Sequence, residues 1–223
     1  MLVTMSSTST ASSPIQLEVF FDLSCPFTLL AKRRLDGVLA DSAANATVAI
    51  TWSPLIMHPT LPAEGIDFHT AHLQHYGVRS RPLQIHVERL FAEQGLLVDH
   101  MRIKTVPNTL DAHRTVRFAA ESGQHVEMIE AILQAYFVSG RDIGDRAELT
   151  TLVRLMGLDA VDYRMRMASD WQCAELLADS ERAGARGARS VPSYELEGEH
   201  IENTSELIPK LQQLASSGGR RLQ

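Results

Sequence analysis

Cysteine is scarce in this chain: only Cys25 and Cys173 occur among 223 residues, far apart in the sequence. Two distant cysteines exclude a disulfide scaffold and favour a reducing cytoplasm as the location. Basic runs are also missing, and 21 Lys and Arg against 27 Asp and Glu give a net charge of −6. We therefore expect no nucleic-acid partner. No apolar stretch approaches the roughly 20 residues that span a bilayer, so no membrane partner is expected either.

The two ends of the chain are poor in large apolar residues. Residues 1–14 are rich in Ser and Thr and lack the positive start and apolar core of a signal peptide. They predict a disordered lead-in, in which Met5 is an alternative start to Met1. The Ser, Gly and Arg residues at 217–223 predict a flexible tail.

Hydrophobic periodicity divides the rest of the chain into two kinds of structure. The predicted order is a strand at 16–21, a helix at 26–40, a strand that begins at Asn45-Ala46 and runs from Thr47 to Trp52, a proline-rich loop at 53–65, helical segments to about 188, a strand at 190–196, and a last helix at 205–214. This order predicts an α/β protein with a small central sheet formed by residues 15–60 and 188–216. Residues 61–187 are too many for a loop and predict an inserted helical subdomain.

Cys25 stands where an apolar strand gives way to a helix. Pro26 is a residue type favoured at the first helical position, so Cys25 lies at or beside the N-cap. Unpaired N–H groups and the positive end of the helix dipole stabilise a thiolate there, which is the nucleophilic form. We therefore predict that its pKa lies below the usual value of about 8.5. The alternative is an inert, buried cysteine at a strand–helix turn.

Four segments, together with this cysteine, carry a resemblance to a known family. They are WSPLIMHPTLPAEGIDF, PNTLDAHRTVRFA, LQAYFVSGRDIGD and ARGARSVPSYELEG. Residues 16–215 thereby resemble the DsbA family, in its FrnE-like branch. The resemblance implies an α/β, thioredoxin-like fold with a large all-helical insertion between its βαβ and ββα halves. The related 2-hydroxychromene-2-carboxylate isomerases and kappa-class glutathione transferases place a serine where Cys25 stands.

The chain departs from the family at the active motif. Oxidoreductases of the family carry Cys-x-x-Cys, whereas this chain has Cys25, Pro26, Phe27 and Thr28. In a dithiol pair the second thiolate releases the bound partner, and Thr28 cannot do so. Its hydroxyl can donate a hydrogen bond to the Cys25 thiolate or bond to the backbone of the first helical turn. Cys173, in a helical context, is an improbable substitute for the second thiol.

The resemblance also implies a set of residues around Cys25. Val191 and Pro192 are expected to form a cis peptide whose backbone pairs with a peptide or with glutathione, the alternative being an ordinary proline at a strand start. Asn203 and Thr204 either offer N–H groups to a ligand carboxylate or only cap the last helix. The cofactor-binding residues expected from the resemblance are Ser24, Phe27, Trp52, Asn108, Val191, Pro192, Asn203 and Thr204.

Histidines give a weaker signal. His113 lies on a helix that the family places over the cysteine, so it is a candidate for proton transfer, or else a core histidine bonded to backbone. His58 is expected to line the same cleft as Trp52. His69, His72 and His75 share a helix face but have no Cys or Asp beside them, so we expect solvated side chains and no metal.

We therefore predict an enzyme, a thiol oxidoreductase or isomerase that uses one nucleophilic cysteine with glutathione or a similar small thiol. Its partner would be a small-molecule or thiol substrate. The first alternative is a glutathione-dependent isomerase or transferase of small aromatic, polyketide-like substrates, in which Cys25 only contacts the glutathione sulfur. The second is a non-catalytic thioredoxin-fold binding module. Whether the chain forms a homodimer stays open.

Overall fold

The computed structural model describes residues 13–40 and 48–216. Most of the predicted lead-in, the start of the second strand at 45–47 and the tail at 217–223 lie outside the described residues. The remaining expectations can be compared with the structure element by element.

The first half of the fold is a βαβ unit, as predicted. Strand β1 (Ile15–Phe21) and strand β2 (Val48–Pro54) pair in parallel, with Ile15 opposite Val48 and Phe21 opposite Pro54. Helix α1 (Pro26–Ala40) lies between them in the chain. Parallel neighbours require a crossover of this kind, because a tight hairpin can join only antiparallel strands.

A long helical segment follows β2. It consists of α2 (Phe68–Tyr76), α3 (Ser80–Glu93), α4 (Leu110–Ala120), α5 (His125–Phe137), α6 (Arg146–Leu155), α7 (Ala160–Met167) and α8 (Cys173–Ala185). Aspartates cap three of these helices: Asp67, Asp145 and Asp159 each accept a hydrogen bond from a backbone N–H of the first turn. The segment also holds a two-residue ladder between β3 (Ile66–Asp67) and β4 (Thr105–Val106).

The chain then returns to the sheet. Strand β5 (Ser193–Leu196) pairs antiparallel with β1, and β6 (Glu199–Ile201) pairs antiparallel with β5. Helix α9 (Thr204–Ser216) completes a ββα unit. The four-stranded sheet has the order β2-β1-β5-β6, which leaves β2 as an edge strand beside α8.

Two main clusters form the core, and β1 and α1 contribute to both. Leu17 and Val19 pack between the sheet, α1 and α9, while Phe21 and Leu29 join the larger cluster of the helical segment. Each such side chain contributes roughly 1.5–3 kcal/mol to stability when fully buried. The turn between β1 and α1 is therefore held firmly at the junction of the sheet and the helical segment.

Candidate active site

The turn that carries Cys25 begins where β1 ends. The Cys25 N–H donates to the Asp22 carbonyl at 3.3 Å, and Pro26 opens α1. The half-buried Cys25 sulfur donates a hydrogen bond to the Val191 carbonyl at 3.2 Å. A residue 166 positions away along the chain therefore meets the cysteine directly.

The Val191–Pro192 peptide bond is cis. It lies just before β5, the strand that pairs with β1. The expectation of a cis bond beside Cys25 is therefore confirmed.

The predicted lowering of the Cys25 pKa is wrong. Burial raises the pKa of the thiol to about 11, and the charge of Asp22 adds to this rise. The backbone N–H groups of Phe27 and Thr28 and the Thr28 hydroxyl act in the opposite direction but do not compensate. Loss of hydration outweighs the helix start, so Cys25 is a neutral thiol at pH 7 and donates to Val191.

Thr28 lies directly behind this sulfur in the first turn of α1. Its side chain is fully buried, and its hydroxyl has no hydrogen-bond partner among the described residues. The hydroxyl nevertheless lowers the pKa of the Cys25 thiol, as expected for a donor close to a forming thiolate. The alternative of a bond to the helix backbone is not observed.

Asp22 is a functional candidate that the sequence interpretation passed over. Its side chain is 1% exposed, and its carboxylate accepts hydrogen bonds from the N–H groups of Ser24 at 3.1 Å and Met57 at 2.7 Å. Burial alone would raise the pKa of Asp22, but the facing His113 ring and these two N–H groups lower it below its usual value. Asp22 is therefore a buried anion beneath the cysteine turn. An acidic residue directly after the apolar end of β1, Val19 to Phe21, was the signal for it.

His113 is held between Asp22 and the core. It is 1% exposed, its ring centroid lies 5.0 Å from that of Phe21, and its Nε2 is 3.7 Å from Asp22 Oδ1. That separation is longer than a hydrogen bond, and Nε2 has no partner among the described residues. The contact joins His113 to the cysteine turn through Asp22.

A groove of about 310 Å³ runs beside the cis peptide, and we call it the thiol groove. Five of the predicted cofactor-binding residues line it: Phe27, Val191, Pro192, Asn203 and Thr204. The sequence interpretation missed two charged residues there, Arg34 from α1 and Glu202 from the turn before α9. Arg34 lies two helical turns after Phe27, a spacing that places both on one helix face.

The start of α9 is capped by its own residues. Asn203 Oδ1 accepts from the Glu206 N–H at 2.9 Å and from the Ser205 hydroxyl at 2.7 Å. The Thr204 hydroxyl lies 2.6 Å from the Tyr194 hydroxyl. Capping is therefore observed for Asn203, and what remains for a ligand is the backbone N–H groups of α9 that precede Glu206.

Other predicted residues lie elsewhere. Trp52 and His113 line a separate cavity of about 300 Å³, which we call the tryptophan cavity. Asn108 lines a third cavity with Cys173, and its amide donates to the Leu61 carbonyl at 2.7 Å and accepts from the Leu110 N–H at 3.0 Å. Ser24 supports Asp22 through its N–H. The resemblance implied one cleft for the predicted site residues, whereas in the structure they line three separate cavities.

The other histidines named in the sequence analysis lie on α2 or beside it. His58 lines a cavity there with His72 and His75, not the cavity of Trp52. His72 is stacked on Phe68 with centroids 4.1 Å apart, and burial lowers its pKa to about 4. Within residues 13–40 and 48–216, no group of three or more His, Cys, Asp or Glu side chains could hold a metal ion.

Both cysteines are free thiols. Cys173 begins α8, and burial raises its pKa. In the part of the chain that the structure describes, no helix is both long and apolar enough to cross a membrane.

Comparisons with known proteins agree with this architecture. The family described as "DSBA-like thioredoxin domain" matches residues 16–215. A probable DsbA oxidoreductase from Streptomyces coelicolor superposes with a TM-score of 0.83 at 22% identity, covering 94% of this chain and 93% of that one. No curated protein sequence matches the chain.

Two further solved structures share the fold. A 2-hydroxychromene-2-carboxylate isomerase has a TM-score of 0.70 at 14% identity and covers 91% of this chain and 95% of its own. The cytosolic disulfide reductase DsbM from Pseudomonas aeruginosa, solved with glutathione, has a TM-score of 0.64 at 18% identity and covers 91% and 98%. The same thioredoxin-like architecture thus occurs in an isomerase and in a disulfide reductase.

Proposed function

The chain belongs to the family of DSBA-like thioredoxin domains, and from that premise we propose that it is a thiol-dependent oxidoreductase acting through Cys25 alone. Glutathione or another small thiol would take the part of the missing second cysteine. The observation that carries the proposal is the contact of the Cys25 sulfur with the Val191 carbonyl, 3.2 Å away at the cis peptide. Val191 lines the thiol groove, so its contact with the Cys25 sulfur supports a site at this groove.

The proposed reaction is an exchange of disulfides in two steps. Cys25 loses its proton to a solvent base, and the thiolate attacks one sulfur of a substrate disulfide, releasing the other sulfur as a thiolate. A glutathione thiolate then attacks the substrate sulfur of the mixed disulfide, so that Cys25 leaves as a thiolate and is regenerated. The products are a glutathione–substrate disulfide and a free thiol, with no net change in oxidation state. Thr28 has no thiol for the second step.

The thiol groove suits a ligand such as glutathione, which carries two carboxylates and one ammonium group at neutral pH. Arg34 offers a guanidinium to one carboxylate, and Glu202 offers a carboxylate to the ammonium. The first turn of α9 adds backbone N–H groups and the positive end of a 13-residue helix. Phe27 and Pro192 supply apolar contact beside Cys25.

The raised pKa of Cys25 favours a second candidate function. A neutral thiol is a hydrogen-bond donor, so Cys25 could hold a glutathione thiolate rather than attack. The chain would then be a glutathione-dependent isomerase or transferase, an activity class that includes an isomerase with the same fold. In that case Cys25→Ser keeps a donor and retains activity, whereas disulfide exchange would be lost.

Glutathione binding and disulfide chemistry should be measured separately. We expect calorimetry to show glutathione binding that Arg34→Gln weakens about tenfold, the loss of one charge-assisted hydrogen bond. Arg154→Gln, at an exposed position of α6, is the matched control and should bind as the wild type. Incubation with glutathione disulfide should give one adduct on Cys25 by mass spectrometry. Glutathione binding without an adduct would favour the isomerase. The absence of both binding and adduct would favour the non-catalytic module.

We also propose a cytoplasmic location. Its support is the use of cysteine: two free thiols distant in sequence, and a motif that depends on a small thiol abundant in reducing compartments. Expression of a tagged chain followed by fractionation tests this directly, and recovery outside the cytoplasm would overturn it.

A further inference from the structure

The tryptophan cavity has no lining residue in common with the thiol groove. It lies at the edge strand β2, between the starts of α5 and α8 and the side of α4. Its volume of about 300 Å³ is at the lower end of the range for small-molecule sites. The proposed disulfide exchange uses none of its side chains.

Aromatic and aliphatic groups form the walls of this cavity. The Phe21 and Trp52 rings meet edge to face with centroids 5.5 Å apart, and Val116 and Leu176 continue the apolar lining. Edge-to-face rings leave flat faces against which a further ring can pack. The walls therefore suit a planar aromatic group rather than a hydrated ion.

One histidine brings an unsatisfied polar atom to the same lining. His125, the first residue of α5, has a buried Nδ1 with no hydrogen-bond partner among the described residues. The His113 ring also lines the cavity, but its Nε2 faces Asp22 Oδ1 at 3.7 Å. An unsatisfied buried polar atom costs about 1–3 kcal/mol, so such atoms in a cavity wall indicate a ligand that satisfies them.

Arg117 supplies the charge. Its side chain is 41% exposed, lines the cavity, and is paired with Asp179, which also holds Arg182. A guanidinium has five N–H donors, and the pair with Asp179 engages only its Nη2. Donors thus remain for a carboxylate at the mouth of the cavity.

We propose that the tryptophan cavity binds a small planar aromatic carboxylate, with its ring against Trp52 and Phe21 and its carboxylate toward Arg117 and His125. The combination carries the assignment: apolar ring walls, one unsatisfied histidine nitrogen and one cation line the same cavity. The site is independent of glutathione and of the reaction at Cys25.

The chain contains two tryptophans, and this makes the proposal measurable. Trp171 contacts Phe118 and Arg166 and does not line the cavity, so Trp171→Phe leaves Trp52 as the reporter. Titration of this protein with 4-nitrobenzoate, which quenches indole fluorescence, should give a saturable decrease. The neutral 4-nitrobenzamide should bind at least about tenfold more weakly, since it lacks the charge for Arg117.

Variants at the mouth test the assignment. Arg117→Gln should weaken 4-nitrobenzoate about tenfold, and His125→Phe, which keeps a ring but removes both nitrogens, about threefold. Arg182→Gln is the matched control and should bind as the parent, because Arg182 pairs with the same Asp179 carboxylate but does not line this cavity. Quenching that never saturates, equal binding of the amide, or equal weakening by Arg182→Gln would overturn the proposal.

Two measurements keep the test decisive. If Arg117→Gln does not fold, the Trp52 indole N–H resonance of the Trp171→Phe protein must still shift on addition of 4-nitrobenzoate, and an unchanged resonance overturns the proposal. Glutathione affinity of the folded Arg117→Gln protein should equal that of its parent. A loss of both ligands together would mean that the variant damages the fold, in which case the resonance decides.

Discussion

The thiol groove and the tryptophan cavity are built in different ways. The groove is formed mainly by backbone turns, namely the β1–α1 junction, the cis peptide before β5 and the first turn of α9. The cavity is formed mainly by side chains on β2, α4, α5 and α8. Backbone features of the first kind bind many ligands that present a sulfur and a peptide-like group, whereas side chains of the second kind select one shape and charge.

Asp22 is the point where the two regions meet. Its carboxylate raises the pKa of Cys25 on one side and lies 3.7 Å from the His113 ring on the other. Variants of the groove, of Asp22 and of the sheet behind the groove therefore test how far the two regions are separate.

The largest effect is expected for Cys25→Ser. Disulfide exchange with glutathione disulfide should fall at least about 100-fold, because a serine hydroxyl has no comparable anion near neutral pH. Cys173→Ser should keep the exchange, and both variants should bind 4-nitrobenzoate as the parent does. Stopped-flow or mass-spectrometric exchange assays measure this. If Cys25→Ser keeps the exchange and Cys173→Ser loses it, the reactive cysteine is Cys173 and the proposal is wrong.

The same assay has a defined pH dependence. With a pKa of about 11, only about one Cys25 in ten thousand is a thiolate at pH 7. Alkylation of the Cys173→Ser protein should therefore accelerate about tenfold per pH unit from pH 7 to 10. A rate that levels off below pH 8 would mean that the thiolate is stabilised after all.

Thr28→Cys should convert the groove into a dithiol site. Thr28 is fully buried and close enough to Cys25 for its hydroxyl to act on the thiol, so a second sulfur there can reach the first. In its reduced form and without glutathione, the variant should reduce one insulin disulfide per molecule and itself form a disulfide between Cys25 and the introduced cysteine, while the parent releases no reduced insulin. Thr28→Ser is the control, since it keeps the hydroxyl and supplies no thiol. Equal insulin reduction by the parent would indicate another resolving thiol.

The sequence was sufficient where the signals are local. A cysteine before a proline at a strand end predicted the turn, and the family resemblance carried by Val-Pro before a strand implied the cis peptide next to it. Periodicity predicted the order of strands and helices but not every boundary. Strand β2 runs on to Pro54, two residues past its predicted end, and β5 begins at Ser193, three residues after the predicted start at 190.

Long-range packing explains what could not be predicted. Trp52 and His113 belong to a cavity that exists only because α4, α5 and α8 meet the edge of β2, and periodicity does not encode how helices orient. The prediction of a lowered Cys25 pKa was wrong for a similar reason. The helix start was visible in the sequence, but the burial that outweighs it and the charge of Asp22 depend on tertiary contacts.

Asp22→Asn should have an intermediate effect, on the stability of the fold and on the Cys25 thiol. The folded protein should lose about 1–3 kcal/mol of unfolding free energy at pH 7, because Asn satisfies the Ser24 and Met57 N–H groups with one oxygen instead of two. The pKa of Cys25 should fall, since a charge that raises it is gone. Urea unfolding and alkylation rate against pH measure the two effects.

The pH dependence of this loss has a definite sign. The folded pKa of Asp22 is lowered, so its ionised form stabilises the fold above the unfolded pKa of about 3.9 and this stabilisation disappears as the pH falls through the folded value. The stability difference between parent and Asp22→Asn should therefore be full at pH 7 and shrink below about pH 4. A difference that grows in acid would mean that Asp22 is protonated in the folded protein.

The smallest effect is expected behind the groove. The Tyr194 hydroxyl lies 2.6 Å from the Thr204 hydroxyl and ties β5 to the first turn of α9. Tyr194→Phe keeps the buried ring and should cost only about 1 kcal/mol of unfolding free energy, the usual value of one such bond. Glutathione affinity should fall a few-fold if the start of α9 holds a carboxylate, whereas 4-nitrobenzoate affinity should not change. Tyr163→Phe, which removes a similar buried bond to Thr115 in the helical segment, is the control for stability alone. Equal glutathione affinities in the two variants would mean that the start of α9 does not contact the ligand. Arg34 would then be the main charged contact in the groove.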